Sequence, residues 1–178
     1  MKQHVHQAGC GCLATLSRRG ALGLGLGAAA FAAAGRALAS GGSYEVALMD
    51  CIDPRLTTFS WSYMASRNLQ NLYSQVTLAG GPIAAVAPVF ADWRKTWWDN
   101  LEITVKLHEI KRVIGLVHRD CGAAAVAYGD QIKTDRAFET AKLTEALLTF
   151  RTEVKQHHPR LGVELGIMGL NGAVEPVA

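Results

Sequence analysis

Apolar residues along this chain gather in short runs that alternate with longer segments of helical period. Tyr44–Met49 is a short apolar run ending in Asp50-Cys51, Val76–Ala79 another ending in Gly80-Gly81-Pro82, and Arg112–Val117 a third ending at His118. Runs of this length bounded by turn residues read as buried strands. Between and after them, roughly Thr57–Leu72, Val89–Ile110 and Thr134–His157 carry helical character. In the last of these Ala137, Ala141, Leu147 or Leu148 and Val154 recur at helical spacing, and Pro159 stops the helix. A fourth run, Gly162–Gly169, leads into Asn171-Gly172 and a last apolar piece, Ala173–Val177. Strands alternating with helices predict an α/β fold, a single domain whose mostly parallel sheet of about four to five strands is flanked by helices with right-handed crossovers. No internal repeat, linker or second domain is visible. In such sheets ligands sit beyond the carboxyl ends of the strands.

The pattern before Tyr44 is of another kind. Ser17-Arg18-Arg19-Gly20-Ala21-Leu22 opens an uncharged Gly/Ala/Leu run over 20–35, and Ala37-Leu38-Ala39 follows as a small-residue cleavage pattern. Residues 1–39 are therefore expected to be an export signal of the twin-arginine type, and 40–178 the mature domain, in the periplasm or otherwise exported. The alternative, a retained membrane anchor, meets a run that is Gly-rich, closed by Arg36 and shorter than the about 20 residues a spanning helix needs. No stable membrane insertion is expected after cleavage. Gly23, Gly25 and Gly27 superficially suit a nucleotide-binding turn, but no strand precedes them and the signal accounts for them.

Composition narrows the picture further. With 178 residues, 49% hydrophobic and 19% charged, the chain suits one compact core and is no disordered polymer. Of its 18 Lys and Arg, four (Lys2, Arg18, Arg19, Arg36) lie in the first 39 residues, which hold no acid. That leaves 14 basic against 15 acidic groups in a near-neutral body. No basic stripe of the kind that neutralises phosphates is present, which excludes a nucleic-acid binder. Removal of the signal also takes Cys10 and Cys12, leaving Cys51 and Cys121. Two thiols can be one disulfide or two metal ligands.

Two strand ends carry the unusual chemistry. Cys51-Ile52-Asp53-Pro54-Arg55 lies where the first strand runs out; Pro54 cannot extend a ladder, so Cys51 and Asp53 fall on a turn at the sheet edge. His118-Arg119-Asp120-Cys121-Gly122-Ala123 ends another strand and opens a helix, whose N-terminus is expected to favour a thiolate. Thiolate sulfur and neutral imidazole nitrogen are what zinc takes in tetrahedral array. Cys51, His118 and Cys121 would leave a fourth position for water or for the carboxylate of Asp53. The bland alternative, a Cys51–Cys121 disulfide, leaves His118, Asp53 and Arg55 without a part to play.

Cys-x-Asp-x-Arg followed by His-x-x-Cys-Gly resembles the zinc signature of the β-class carbonic anhydrases. The resemblance runs from about Tyr44 to Val177: Asn100–Val105 is similar to the helix before the His strand, Leu78-Ala79-Gly80-Gly81 to the family's Asn-Ala-Gly loop, and Gly169–Val174 to its closing turn. It implies zinc held by Cys51, His118 and Cys121, with Asp53 and Arg55 as a gating catalytic dyad. While Asp53 pairs with Arg55 a water takes the fourth site; swung onto zinc, Asp53 closes it as an alternative fourth ligand. The implied activity is reversible hydration of carbon dioxide to bicarbonate by zinc-bound hydroxide, with a rate that rises with pH because two thiolates cancel the charge of the metal. It also implies a homodimer or higher homo-oligomer. Relatives of this fold hydrolyse carbonyl sulfide or carbon disulfide on the same ligands, so the substrate is less determined than the reaction type. A non-catalytic module, with zinc closed by Asp53 or with the two cysteines disulfide-bonded, is the competing reading from another class.

The sequence departs from that family in three ways. Little room precedes Tyr44 for an N-terminal helical arm, so different dimer contacts are expected. Leu78 stands where the loop usually has a polar residue. The stretch around Pro88–Trp98 looks like an insertion, and its Trp93, Trp97 and Trp98 read either as an apolar wall beside the metal or as a buried or dimer-facing helix. Asp120 reads as an acceptor orienting the His118 ring or as a solvated turn residue. His157-His158 suits the end of a helix, His108 a packed or surface position, and Glu102 has no role legible from sequence.

Overall fold

The structure, a computed structural model, describes residues 44–178; the expected export signal over 1–39 lies outside the described residues. Five strands make one sheet: β1 (Val46–Cys51), β2 (Tyr73–Leu78), β3 (Arg112–His118), β4 (Gly162–Met168) and β5 (Val174–Val177), in the order β2-β1-β3-β4-β5. β1 pairs in parallel with β2 and β3, and β3 with β4. β5 returns antiparallel to β4. The five residues between β4 and β5 are too few for a parallel crossover and make a hairpin instead. Ala173 N–H donates to Asn171 Oδ1 (3.1 Å) and Gly169 N–H to Ala173 O (2.7 Å) to close that turn.

The helices are α1 (Thr57–Ser66), α2 (Pro82–Val86), α3 (Arg94–His108), α4 (Gly122–Tyr128), α5 (Gln131–Thr134) and α6 (Arg136–His157), with 3-10 turns at Pro54–Leu56 and Pro88–Trp93. They cover both sheet faces. On one face Ala47 and Met49 of β1 and Val113 and Val117 of β3 pack with Trp97 of α3 and Phe150 of α6; on the other, Leu48 and Ile114 pack with Leu56 and Met64. Double coverage is why Val46–Met49 of β1 reads as an apolar run and why all six residues of the strand, Asp50 included, are buried. Each large side chain fully buried here contributes about 1.5–3 kcal/mol. Among the described residues no helix is long and apolar enough to cross a membrane.

Three expectations needed correction. The first helix stops at Ser66 rather than Leu72, because Asn68 and Asn71 take left-handed backbone (φ 58 and 60) and turn the chain into β2. β2 then starts at Tyr73, three residues before the apolar run, since an edge strand tolerates polar Ser74 and Gln75. The expected helix from Val89 is a 3-10 turn as far as Trp93, and left-handed Glu109 (φ 51) ends α3. α2 escaped notice altogether. All five of its residues are buried, so it has no polar face to reveal a helical period. Gly81, at φ 55 and ψ −123, leads into it, and a Cβ there would lie 2.9 Å from the Asp50 carbonyl carbon and Leu116 O. The loop therefore requires glycine.

Candidate metal centre

The parallel pairing of β1 with β3 brings Cys51 and His118 to the carboxyl ends of neighbouring strands. Asp53 caps the 3-10 turn that follows β1: its Oδ1 accepts from Arg55 N–H at 2.9 Å, with Pro54 in the first turn position. The local Asp-Pro-Arg geometry thus brings carboxylate and guanidinium together. Arg55 Nε meets Asp53 Oδ1 at 3.0 Å and Oδ2 at 3.2 Å, and Nη2 meets Oδ2 at 2.7 Å. Across the site, Cys121 is the N-cap of α4.

One ligand atom from each of Cys51, His118 and Cys121 lies within 4.8 Å of the others, and all three residues are buried. The cysteines are free, which sets aside the disulfide alternative. His118 Nδ1 sits 2.8 Å from Arg119 O, a backbone acceptor that holds the proton on Nδ1. That leaves Nε2 with its lone pair, buried and without a hydrogen-bond partner, 3.9 Å from Asp53 Oδ2. These groups fit zinc. The donors are soft sulfur and imidazole, the orphaned Nε2 is what coordination would satisfy, and an ion at about 2.3 Å from sulfur and 2.0–2.1 Å from nitrogen spaces its ligand atoms within the observed limit.

Electrostatics favours a cation here. The two neighbouring sulfurs titrate together: the contact with Cys121 pushes Cys51 down, while the same contact, with burial, pushes Cys121 up. The backbone N–H groups of Ala124 and Ala123 do pull Cys121 down, as expected of a helix N-terminus, but they are outweighed. Burial opposes the imidazolium of His118, yet the negative charge of Cys51 beside it raises its pKa. The Gly80 N–H, 3.2 Å from Cys51 Sγ, further steadies a thiolate. Arg55 holds Asp53 down at about 2, so that carboxylate is ionised throughout the physiological range.

Beside Cys51 a hollow of about 290 Å³ is bordered by Asp53, Pro54, Ala79 and Ala123, and it shares Ile52 and Ala79 with a second, about 260 Å³, walled by Leu78 and Trp93. The tryptophans divide between the two readings. Trp93, 41% exposed and stacked on Phe90 (4.6 Å), lines the apolar groove; Trp97 is fully buried; Trp98 stacks on His157 at 4.0 Å. A larger hollow of about 620 Å³ lies at the opposite ends of the strands, between Lys111 and Arg160. His158 faces Glu102 at 3.1 Å and His108 faces Ser74 at 3.0 Å, both contacts away from Cys51, His118 and Cys121.

Asp120 is the solvated turn residue of the second reading, its side chain 59% exposed, and not an acceptor for the His118 ring, whose Nδ1 is taken by Arg119 O. It has left-handed backbone (φ 56), and its carboxylate accepts from Arg55 Nη1 at 2.8 Å. Three further groups went unnoticed in the sequence. Asp50, buried behind Cys51, accepts from Gln75 Nε2 (2.9 Å) and is pushed up by burial. Buried Arg119 and Glu139 pair at 3.2 Å, and Arg119 also reaches Glu175 at 2.6 Å. A charged residue directly following His118 was the available signal, but its partners lie 20 and 56 residues away.

No family model matches the chain. A protein of Rickettsia bellii described as uncharacterized is 34% identical over 130 residues, covering 73% of this chain and 79% of its own. Among solved structures, the carbonic anhydrase of Streptococcus mutans has a TM-score of 0.52 at 18% identity, covering 88% of this chain and 97% of that one. The β-carbonic anhydrase of Coccomyxa has a TM-score of 0.52 at 14% identity, with 92% and 87% covered. The chain thus belongs to one family with the Rickettsia protein and carries the β-carbonic anhydrase fold.

Proposed function

We propose that the chain is a zinc enzyme that interconverts carbon dioxide and bicarbonate. The observation that carries this reading is the convergence of Cys51, His118 and Cys121, with Nε2 of His118 orphaned and the Arg55-bound carboxylate of Asp53 3.9 Å from it. Those three residues would hold the ion, which supplies, when bound, a Lewis acid that makes water nucleophilic near neutral pH. Arg55 holds both oxygens of Asp53 along its Nε–Nη2 edge, and this fixes the direction in which the carboxylate accepts a hydrogen bond. With a pKa of about 2, Asp53 is too weak a base to take a proton near neutrality, so its part is to orient solvent. Pro54, Ala79 and Ala123 border the hollow with apolar surface suited to a small uncharged substrate.

Stopped-flow hydration of carbon dioxide by zinc-replete protein tests this reading. Catalysis above the buffer rate that disappears in Cys51→Ser supports it; zinc-loaded protein without catalysis overturns it. The adjoining groove of Ile52, Leu78 and Trp93 favours a second reading, hydrolysis of carbonyl sulfide or carbon disulfide, which sulfide release would detect. Export by the twin-arginine route, supported by Arg18-Arg19 and the apolar run after them, belongs to the same proposal. So does self-association: Ile52, Val89 and Trp93 expose large apolar side chains near the site, the kind of surface that a second copy covers.

A further inference from the structure

Arg55 touches both halves of the site. Its Nε and Nη2 grip Asp53 in the loop after β1, while Nη1 donates to Asp120 Oδ2 at 2.8 Å and Nη2 to Asp120 O at 3.1 Å in the loop after β3. The guanidinium is thereby fixed along two edges, one for each loop, and cannot rotate without losing one carboxylate. Asp120 is itself held from behind. Its N–H donates to Glu139 Oε1 at 2.7 Å, and Glu139, 5% exposed on α6, takes Arg119 and Arg136 on its other oxygen at 3.2 and 3.0 Å. A chain of charge-assisted hydrogen bonds therefore runs from α6 through Asp120 and Arg55 to Asp53.

We propose that Asp120 is a positioning residue that, by anchoring Arg55 from the opposite loop, keeps Asp53 tethered away from the metal. This rests on the reading of Cys51, His118 and Cys121 as the metal site. A merely solvated turn residue would leave Arg55 to Asp53 alone. An acceptor orienting the imidazole is excluded, because Nδ1 of His118 is already taken by Arg119 O. Left-handed backbone at Asp120 serves this contact, since it brings both the carbonyl and the carboxylate of one residue to the same guanidinium. Loss of the anchor frees Arg55 to move, and Asp53 with it, so that its carboxylate reaches the ion.

Cobalt(II) titration, followed by the visible spectrum, tests this apart from activity. Asp120→Gly keeps the left-handed backbone and its carbonyl but removes the side-chain acceptor; it is expected to shift the visible bands and raise apparent cobalt affinity about three- to fivefold, the range an exposed ion pair carries. Asp120→Asn keeps both backbone and acceptor, and retains the wild-type spectrum. In an Asp53→Ala background Asp120→Gly changes neither spectrum nor affinity, because the carboxylate through which it acts is gone. An Asp120→Gly protein indistinguishable from wild type overturns the proposal. So does an equal shift with and without Asp53, or an Asp120→Asn protein that behaves like Asp120→Gly. Wild-type protein that takes up no cobalt overturns the metal-site reading and this proposal with it, whereas a cobalt-binding wild type with an unchanged Asp120→Gly overturns this proposal alone.

Discussion

Asp53 shows how much of the chemistry is settled within three residues. The same carboxylate caps a 3-10 turn, accepts from the Arg55 backbone and grips the Arg55 side chain. Its low pKa follows from that grip first, with burial acting in the opposite direction. Asp53→Ala is expected to keep the metal, since Cys51, His118 and Cys121 supply the donors, while hydration of carbon dioxide falls about tenfold to a hundredfold through lost orientation. Because Asp53 titrates near pH 2, a pH–rate profile between pH 6 and 9 should keep its midpoint in that variant. Metal content and stopped-flow rate on one preparation check both statements.

At the scale of elements, α6 supports the site from behind, and its start depends on a single cap. Asp135 accepts from Phe138 N–H at 3.0 Å, and this contact holds its carboxyl below the usual range. A depressed folded pKa means that the cap's stabilisation is present above the unfolded carboxyl pKa and is lost as pH falls through the folded one. Asp135→Ala should lower Tm by roughly 3–6 °C at pH 7, and by less at pH 3. Equal losses at both pH values would show that the cap is not ionic. The same helix carries Glu139, so fraying at Asp135 also loosens the support of Asp120.

For the molecule as a whole, a metal held by Cys51, His118 and Cys121 would tie together the ends of two strands, β1 and β3, whose following loops are also linked by Arg55 and Asp120. Binding to the folded state alone stabilises it, by about 2.7 kcal/mol when free metal is a hundredfold over Kd. Chelation of zinc-loaded protein should therefore lower Tm by roughly 8–10 °C, and readdition of zinc should restore it. Scanning calorimetry of the two forms checks this, and coincident transitions would remove the metal from the folding equilibrium. The buried Arg119–Glu139 pair adds a second tie between β3 and α6, independent of the ion.

Residues close along the chain were legible without coordinates. Cys51 ends β1 just before the turn of Asp53 and Arg55, and His118 ends β3 three residues before Cys121, so their types, their spacing and the strands that end at them announce the candidate site. The strand runs and the last helix were legible for the same reason, since period and punctuation are local properties. What the sequence did not disclose depends on distant partners. α2 has no polar face because other elements bury every side of it. Ser74 and Gln75 belong to a strand only because β1 offers them an edge. Asp120 meets Arg55 across 65 residues, and Glu139 meets Asp120 across 19. Sequence by itself determined the two Cys/Asp/Arg and His/Cys clusters and the alternating α/β plan, because both are written in short-range patterns. Tertiary structure alone decided which carboxylates share a guanidinium and which nitrogen of His118 is free, because these are matters of distance between groups that only packing brings together.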